Sequence, residues 1–268
     1  MKKLVNFSEI YDNYDAFIID LWGVMHNGIQ LYEKSIEVVE NLISKNKRVV
    51  FLSNAPRPSK NVIEFLKKIE MKEKYLNNVM TSGEAALNSL KNLKYGKSFF
   101  HLGPKRDEPL FIGLEENKTK IEKCDFILCT GLLENYENDL QYYKDLLKKN
   151  LTKKLICTNP DLIVHRGEKE EYCAGTIAKI FEFLGGQVIY FGKPHKEIYR
   201  TILNKKEKSF VIGDNLNTDI RGANNLNLDC LFITNGVHKT EFSNENDLDK
   251  LLKKYNVKSN FYQKNLSW

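Results

Sequence analysis

The stretch Asp15–Gly28, DAFIIDLWGVMHNG, decides how this chain is read. Its apolar run Ala16–Ile19 is short, continuous and bounded by acids, the pattern of a strand buried on both faces. The run ends on a carboxylate, Asp20, and Trp22 stands two residues beyond it. Two further runs of the same kind end on polar groups. RVVFLS (48–53) delivers Ser53 and Asn54, and SFVIGD (209–214) delivers Asp214.

Amphipathic segments separate these runs. SIEVVENLISK (35–45) places Ile36, Val39, Leu42 and Ile43 on one helical face, with Ser35 as its N-cap. NVIEFLKKI (61–69) turns Val62, Phe65, Leu66 and Ile69 inward, and a weaker strand, NVMTS (78–82), precedes another helix. Further strands are expected at 98–102, 126–131, 154–159, 187–192 and 230–234, and further helices at 136–149, 172–184, 195–204, 217–226 and 247–255. Continuous apolar strands alternating with helices define an α/β fold, a parallel sheet covered on both faces. In such sheets ligands sit at the carboxyl ends of the strands. Asp20, Ser53, Asn54, Lys193 and Asp214 all occupy such ends, and they would converge if their strands are neighbours.

The bulk numbers exclude several classes of function. With 268 residues, 42% hydrophobic and 28% charged, the chain has the make-up of an ordinary globular protein. The net charge is +6, but the basic residues are mostly lysine, scattered and interleaved with acids, which argues against nucleic acid as a partner. The five cysteines form no C-x-x-C pair, and Cys129, Cys157 and Cys230 sit in apolar runs, as expected of reduced, buried thiols in the cytoplasm. MKKLVNFSEIYDNYD lacks the apolar core of a signal peptide. No apolar run approaches the ~18 residues of a membrane span.

Phosphate and a divalent metal suit the strand-end residues. In FVIGDNLNTDI (210–220), Gly213 permits a tight turn, and Asp214 and Asp219 flank a loop that opens a helix. Carboxylate oxygens are what Mg²⁺ prefers. FLSNAPR (51–57) offers a hydroxyl, an amide and backbone N–H groups ahead of a helix, which suit either a cradle for phosphate or a turn that caps the helix. In YFGKPH (190–195) a lysine, Lys193, stands between Gly192 and Pro194, where it is either an ordinary surface lysine or a group that neutralises phosphate.

The order D…SN…GK…GDxxxTD resembles the haloacid dehalogenase superfamily of aspartate-nucleophile phosphohydrolases. SNAPR (53–57), TSGEAA (81–86), TNPDLIVHRG (158–167), CAGTIAKIFEFLGG (173–186), GKPHKEIY (192–199) and GDNLNTDI (213–220) narrow the resemblance to class IIA, the NagD-like and para-nitrophenylphosphatase-like sugar phosphatases. The resemblance implies a Rossmann-like core, residues 1–84 and 189–268, interrupted by a type-2 α/β cap at 85–188. It implies an Mg²⁺-dependent phosphatase of small phosphorylated metabolites such as sugar or nucleotide phosphates. Asp20 would form an aspartyl-phosphate. Asp20, the carbonyl of Trp22, Asp214 and Asp219 would hold Mg²⁺, Lys193 would balance charge, and Ser53 and Asn54 would bind the phosphoryl oxygens. Asn159 and Asp161 would approach the substrate from the cap, and type-2 caps often meet in homodimers.

One position departs from the family. A second aspartate normally stands two residues after the nucleophile and protonates the leaving oxygen. Trp22 carries no such acid. General acid–base catalysis contributes roughly 10²–10⁴-fold, so the departure leaves three readings. The chain is a phosphatase with a surrogate acid, the candidates being His26, a group from the substrate or the cap, and more weakly His195. Alternatively it is a binding or regulatory protein for phosphometabolites, or a phosphotransferase.

Overall fold

The computed structural model describes residues 1–166 and 169–268. Gly167, which closes TNPDLIVHRG, lies outside the described residues. The elements, in chain order, are β1 (Lys2–Lys3), β2 (Ala16–Ile19), α1 (Glu33–Ser44), β3 (Arg48–Ser53), α2 (Ser59–Lys68), β4 (Val79–Thr81), α3 (Ser82–Lys91), β5 (Phe99–Leu102), β6 (Phe126–Cys129), α4 (Leu140–Lys148) and β7 (Lys154–Cys157). There follow β8 (Ile163–Arg166), β9 (Lys169–Tyr172), α5 (Ala174–Phe183), β10 (Gln187–Tyr190), α6 (Lys196–Arg200), β11 (Ser209–Gly213), α7 (Arg221–Asn225), β12 (Asp229–Ile233), α8 (Leu248–Tyr255) and β13 (Phe261–Gln263).

Seven strands form one sheet in the order β1-β13-β12-β11-β2-β3-β4, every pair parallel. All four residues of β2 and all five of β11 are buried, which is why their sequences show no alternation. Phe17 and Phe210 pack edge-on against Phe7 with ring centroids 5.4 and 6.0 Å away. Burying each such ring stabilises the fold by about 1.5–3 kcal/mol. Four strands form a second parallel sheet, β10-β7-β6-β5, with its own core around Leu102, Ile127, Tyr143, Leu155 and Phe181. An antiparallel hairpin, β8-β9, projects between β7 and α5. β10 runs to Tyr190, so membership of the second sheet extends past the expected boundary at 188.

Several local expectations change. Ser35 does not cap α1. It lies inside the helix, 1% exposed, and its Oγ donates to the carbonyl of Val24 at 2.7 Å. The buried face of α1 is therefore Ser35, Val38, Val39 and Leu42, and Ile43 faces solvent. The helix expected at 195–204 contracts to α6. The one expected at 217–226 begins as a π-turn over Leu216–Ile220 before α7, a wide turn of the kind found at functional sites. The five cysteines are free and buried. Among the described residues no helix is long and apolar enough to cross a membrane.

Candidate active site

The large sheet reverses its winding at β2. The chain runs from β2 to β3 to β4 on one side, then returns to β11, β12 and β13 on the other. Such a switch point opens a crevice beyond the carboxyl ends of the strands. Asp20 follows β2 there, and its N–H donates to the carbonyl of Ile212 at 2.9 Å. Asp214 follows β11, and Asp219 comes from the π-turn. The three carboxylates are buried and present oxygens that all lie within 4.8 Å of one another.

Lys193 reaches this cluster from an unexpected direction. It follows β10, which belongs to the second sheet, so the strand that delivers it is no neighbour of β2. The chain crosses between the sheets at Gly192, and the Lys193–Pro194 peptide is cis. Lys193 is 2% exposed and its Nζ donates to Asp20 Oδ1 at 2.6 Å and to Asp219 Oδ1 at 2.7 Å.

Asn54 fixes that lysine. Its Oδ1 accepts from the Lys193 N–H at 2.8 Å, while its Nδ2 donates to the Lys193 carbonyl at 3.1 Å and to Asp161 Oδ1 at 3.2 Å. Gly192 has φ +114°, and a Cβ there would sit 2.5 Å from Asn54 Oδ1, so the grip requires glycine. Replacing Asn54 by alanine strands a buried N–H and a buried carbonyl, at about 1–3 kcal/mol each. The expected outcome is a lower Tm together with a lower kcat. An unchanged Tm would show that the grip is dispensable. Ser53 Oγ accepts from the Ala55 N–H at 3.2 Å.

Burial dominates the electrostatics. It pushes Asp20 from 3.8 up to about 8, with the charge of Asp219 adding and Lys193 opposing. Burial and the neighbouring Asp20 and Asp219 hold Asp214 well above the carboxylate range. Burial alone would lower Lys193, but Asp20 and Asp219 outweigh it and keep it well above its usual value. Acids that resist ionisation although clustered at one crevice fit a hard divalent cation, which would be held by Asp20 and Asp214 with Asp219 behind them. A raised carboxylate value means that ionisation costs the folded state. The metal-free protein is therefore expected to lose stability as pH rises from about 4, where unfolded aspartate titrates, to about 8. Mg²⁺ should restore it, most strongly at the upper end, by ~2.7 kcal/mol at a hundredfold excess over Kd. Thermal melts across that range with and without Mg²⁺ check this, and a pH-independent Mg²⁺ response would refute it.

A cleft of about 80 Å³ opens above the cluster, lined among others by Asp20, Trp22, Tyr32, Asp161, His165 and Asp214. One water needs ~10–15 Å³, so the cleft has room for several waters or a small polar group. Trp22 forms one wall. Its Nε1–H donates to the carbonyl of His165, in the β8-β9 hairpin, at 2.6 Å. Gly28 takes φ +84°, and a Cβ there would meet the Trp22 ring at 2.5 Å, so HNG leaves room for the indole.

The residues expected to act from outside the strand ends divide. Asp161 lines the cleft. Asn159 instead shapes the turn beneath it, its Oδ1 accepting from the Asp161 N–H at 3.1 Å. His26 is 2% exposed, accepts at Nδ1 from the Gly28 N–H at 3.0 Å and packs edge-on against Trp22 and Phe65. Burial lowers it to about 4. It is not among the residues lining the cleft, because the loop folds it under the tryptophan. His195 stacks on Tyr190 at the start of α6.

Two family models match the chain. One described as haloacid dehalogenase-like hydrolase covers residues 17–115, and one described as HAD-hydrolase-like covers 190–261. The chain belongs to the haloacid dehalogenase-like hydrolases. Among its relatives is the 5'-nucleotidase YutF of Bacillus subtilis, 25% identical over 248 residues, 88% of this chain and 93% of that protein. A haloacid dehalogenase-like hydrolase from Brucella suis superposes with a TM-score of 0.85 at 26% identity, over 99% of this chain and all of the other. The 4-nitrophenylphosphatase of Thermotoga maritima does so with a TM-score of 0.70 at 25% identity, over 96% of each chain. The matched segments carry the strand-end residues of this hydrolase, Asp20, Ser53 and Asn54 in the first and Lys193 and Asp214 in the second, together with Asp219 of the π-turn.

Sequence reasoning missed Asn235, Gly236, Val237 and Lys239, which line the cleft with Asp214, the Val237 N–H donating to Asp214 Oδ2 at 2.8 Å. They follow β12, so the rule that found Asp20 and Asp214 also pointed here. It missed Tyr32 too, which reaches the cleft from the residue ahead of α1.

Proposed function

We propose that this hydrolase is an Mg²⁺-dependent phosphatase acting on phosphate monoesters of small metabolites, nucleotide or sugar phosphates being the leading class. The observation that carries the reading is the buried contact of Lys193 with both Asp20 and Asp219, beside Asp214. An aspartate so placed is built to meet a dianionic group. In the first step an Asp20 oxygen forms a bond to phosphorus and the ester P–O bond breaks, the leaving oxygen taking up a proton. In the second step water attacks phosphorus, orthophosphate departs and the Asp20 carboxylate is regenerated. Lys193 keeps Asp20 oriented and offsets charge on the phosphoryl oxygens, which is most of what phosphoryl transfer requires. Bound Mg²⁺ would supply further charge stabilisation.

In this reading Ser53 presents its hydroxyl to the phosphoryl group. Asn54 acts as a positioning residue, because both faces of its amide are already occupied by Lys193 and Asp161. We assign the second sheet and its hairpin to the cap, which roofs the cleft and limits the substrate to small molecules. Its support is that Trp22 and Asn54, from the large sheet, bond to His165 and Asp161 beside the small one. The test is phosphate release from para-nitrophenyl phosphate, nucleoside monophosphates and sugar phosphates, with and without Mg²⁺. Asp20-independent release, or none on any ester, would refute the reading.

A further inference from the structure

The cleft lacks the usual acid beside the nucleophile, and Trp22 cannot replace it. Its single polar hydrogen is directed to the His165 carbonyl at 2.6 Å. His26, the other candidate near the nucleophile, lies beneath the indole, outside the lining. Asp20, Asp214 and Asp219 form the charge cluster. Among the described acids of the cleft lining, that leaves Asp161.

Asp161 is also anchored at three points. Its N–H donates to Asn159 Oδ1 at 3.1 Å, and its carbonyl accepts from the Gly175 N–H at 3.1 Å, in the first turn of α5. Its Oδ1 accepts from Asn54 Nδ2, the same amide that grips Lys193. One side-chain amide therefore sets the spacing between Asp161 and the lysine that touches the nucleophile. Asp161 and Asp20 thus line one cleft, joined through Asn54 and Lys193, and the Asp161 carboxyl is the acid of the lining that the charge cluster does not use. From the geometry we infer that Asp161 protonates the leaving oxygen of the phosphate ester and so fills the role that Trp22 left vacant.

The environment suits the task. Burial, opposed by Lys193 and assisted by Asp219, pushes the Asp161 carboxyl up to about 6, near the range where an acid can both give and retake a proton. The proton moves from the Asp161 carboxyl to the ester oxygen as the P–O bond breaks. The resulting carboxylate then accepts a proton from the water that attacks phosphorus, and the cycle closes. His165 is one competing donor in the lining, beside Tyr32 and Lys239. The His165 Nε2 lies 3.7 Å from Glu170 Oε2 across the hairpin, which turns the ring toward β9.

This inference rests on the phosphatase reading, and one experiment separates the two. The first-turnover release of the leaving group is measured for wild type, Asp161→Asn and His165→Gln across esters running from nitrophenyl to alkyl phosphates, with Mg²⁺ present. Nitrophenolate departs without help, so Asp161→Asn should change its release by only a few-fold. Alkyl phosphates should slow by roughly 10²–10⁴, the range of general acid catalysis. The dependence on leaving-group basicity thus steepens, which a structural role would not produce. Asp161→Glu should recover part of the alkyl rate. Equal slowing on all esters, or a steeper dependence in His165→Gln alone, overturns the assignment while the phosphatase reading stands. No release by the wild type on any ester overturns both. Thermal melts of each variant show that the comparison is made on folded protein.

Discussion

Asp20→Asn is expected to abolish phosphate release, lowering kcat by on the order of 10⁶, the scale seen when a hydrolase loses its nucleophile. Asparagine keeps the shape of aspartate, and its Oδ1 can still accept from Lys193 Nζ, now 2.6 Å from the carboxylate. What it lacks is a lone pair able to form an acyl phosphate. The loss should therefore appear in kcat, with the fold intact. The same substitution removes the acid that burial pushes up to about 8. The fall in metal-free stability with rising pH should flatten in this variant. Residual activity within a hundredfold of wild type would rule out Asp20 as the nucleophile.

Lys193→Met should have the second largest effect, and it should fall on stability as well as rate. Methionine fills the tunnel left by the lysine stem, but two buried carboxylates lose their shared cation. Breaking a buried ion cluster from one side costs about 3–5 kcal/mol. At roughly 2–4 °C per kcal/mol for a chain of this size, Tm should fall by ~10 °C. Removing one preorganised donor typically costs 10²–10³ in kcat, and here a full charge is lost, so the fall should reach at least that range. Mg²⁺ should recover part of the stability and little of the rate, because it can screen the acids but does not replace the lysine's joint contact with Asp20 and Asp219. A Tm within a degree of wild type would contradict the role assigned to the lysine.

Much of the site was legible because strand ends are legible. Four buried residues followed by a carboxylate, as in Ala16–Asp20, have few alternatives in an α/β chain, and SFVIGD repeats the pattern. What the sequence hid is which sheet each strand joins. Lys193 follows β10, and nothing in QVIYFG distinguishes a strand of the second sheet from one beside β2. Side-chain direction was hidden as well. Ser35 has the residue type of a cap but its hydroxyl is buried against Val24. His26 reads as a loop histidine, yet the loop tucks it under Trp22. Asn54 reads as a phosphate ligand, and only the path of the chain through Gly192 brings the Lys193 backbone against its amide.

The bond from Trp22 to the His165 carbonyl has one more consequence. The chain holds only two tryptophans. The other, Trp268, lies against Phe7 and Tyr11 and is not among the residues that line the cleft. Separation of the hairpin from the nucleophile loop would change the surroundings of one indole and leave the other untouched. The molecule thus carries one indole bonded across the seam between its two sheets and a second outside the cleft lining, so any separation at that seam would be read in the emission of Trp22 without a label.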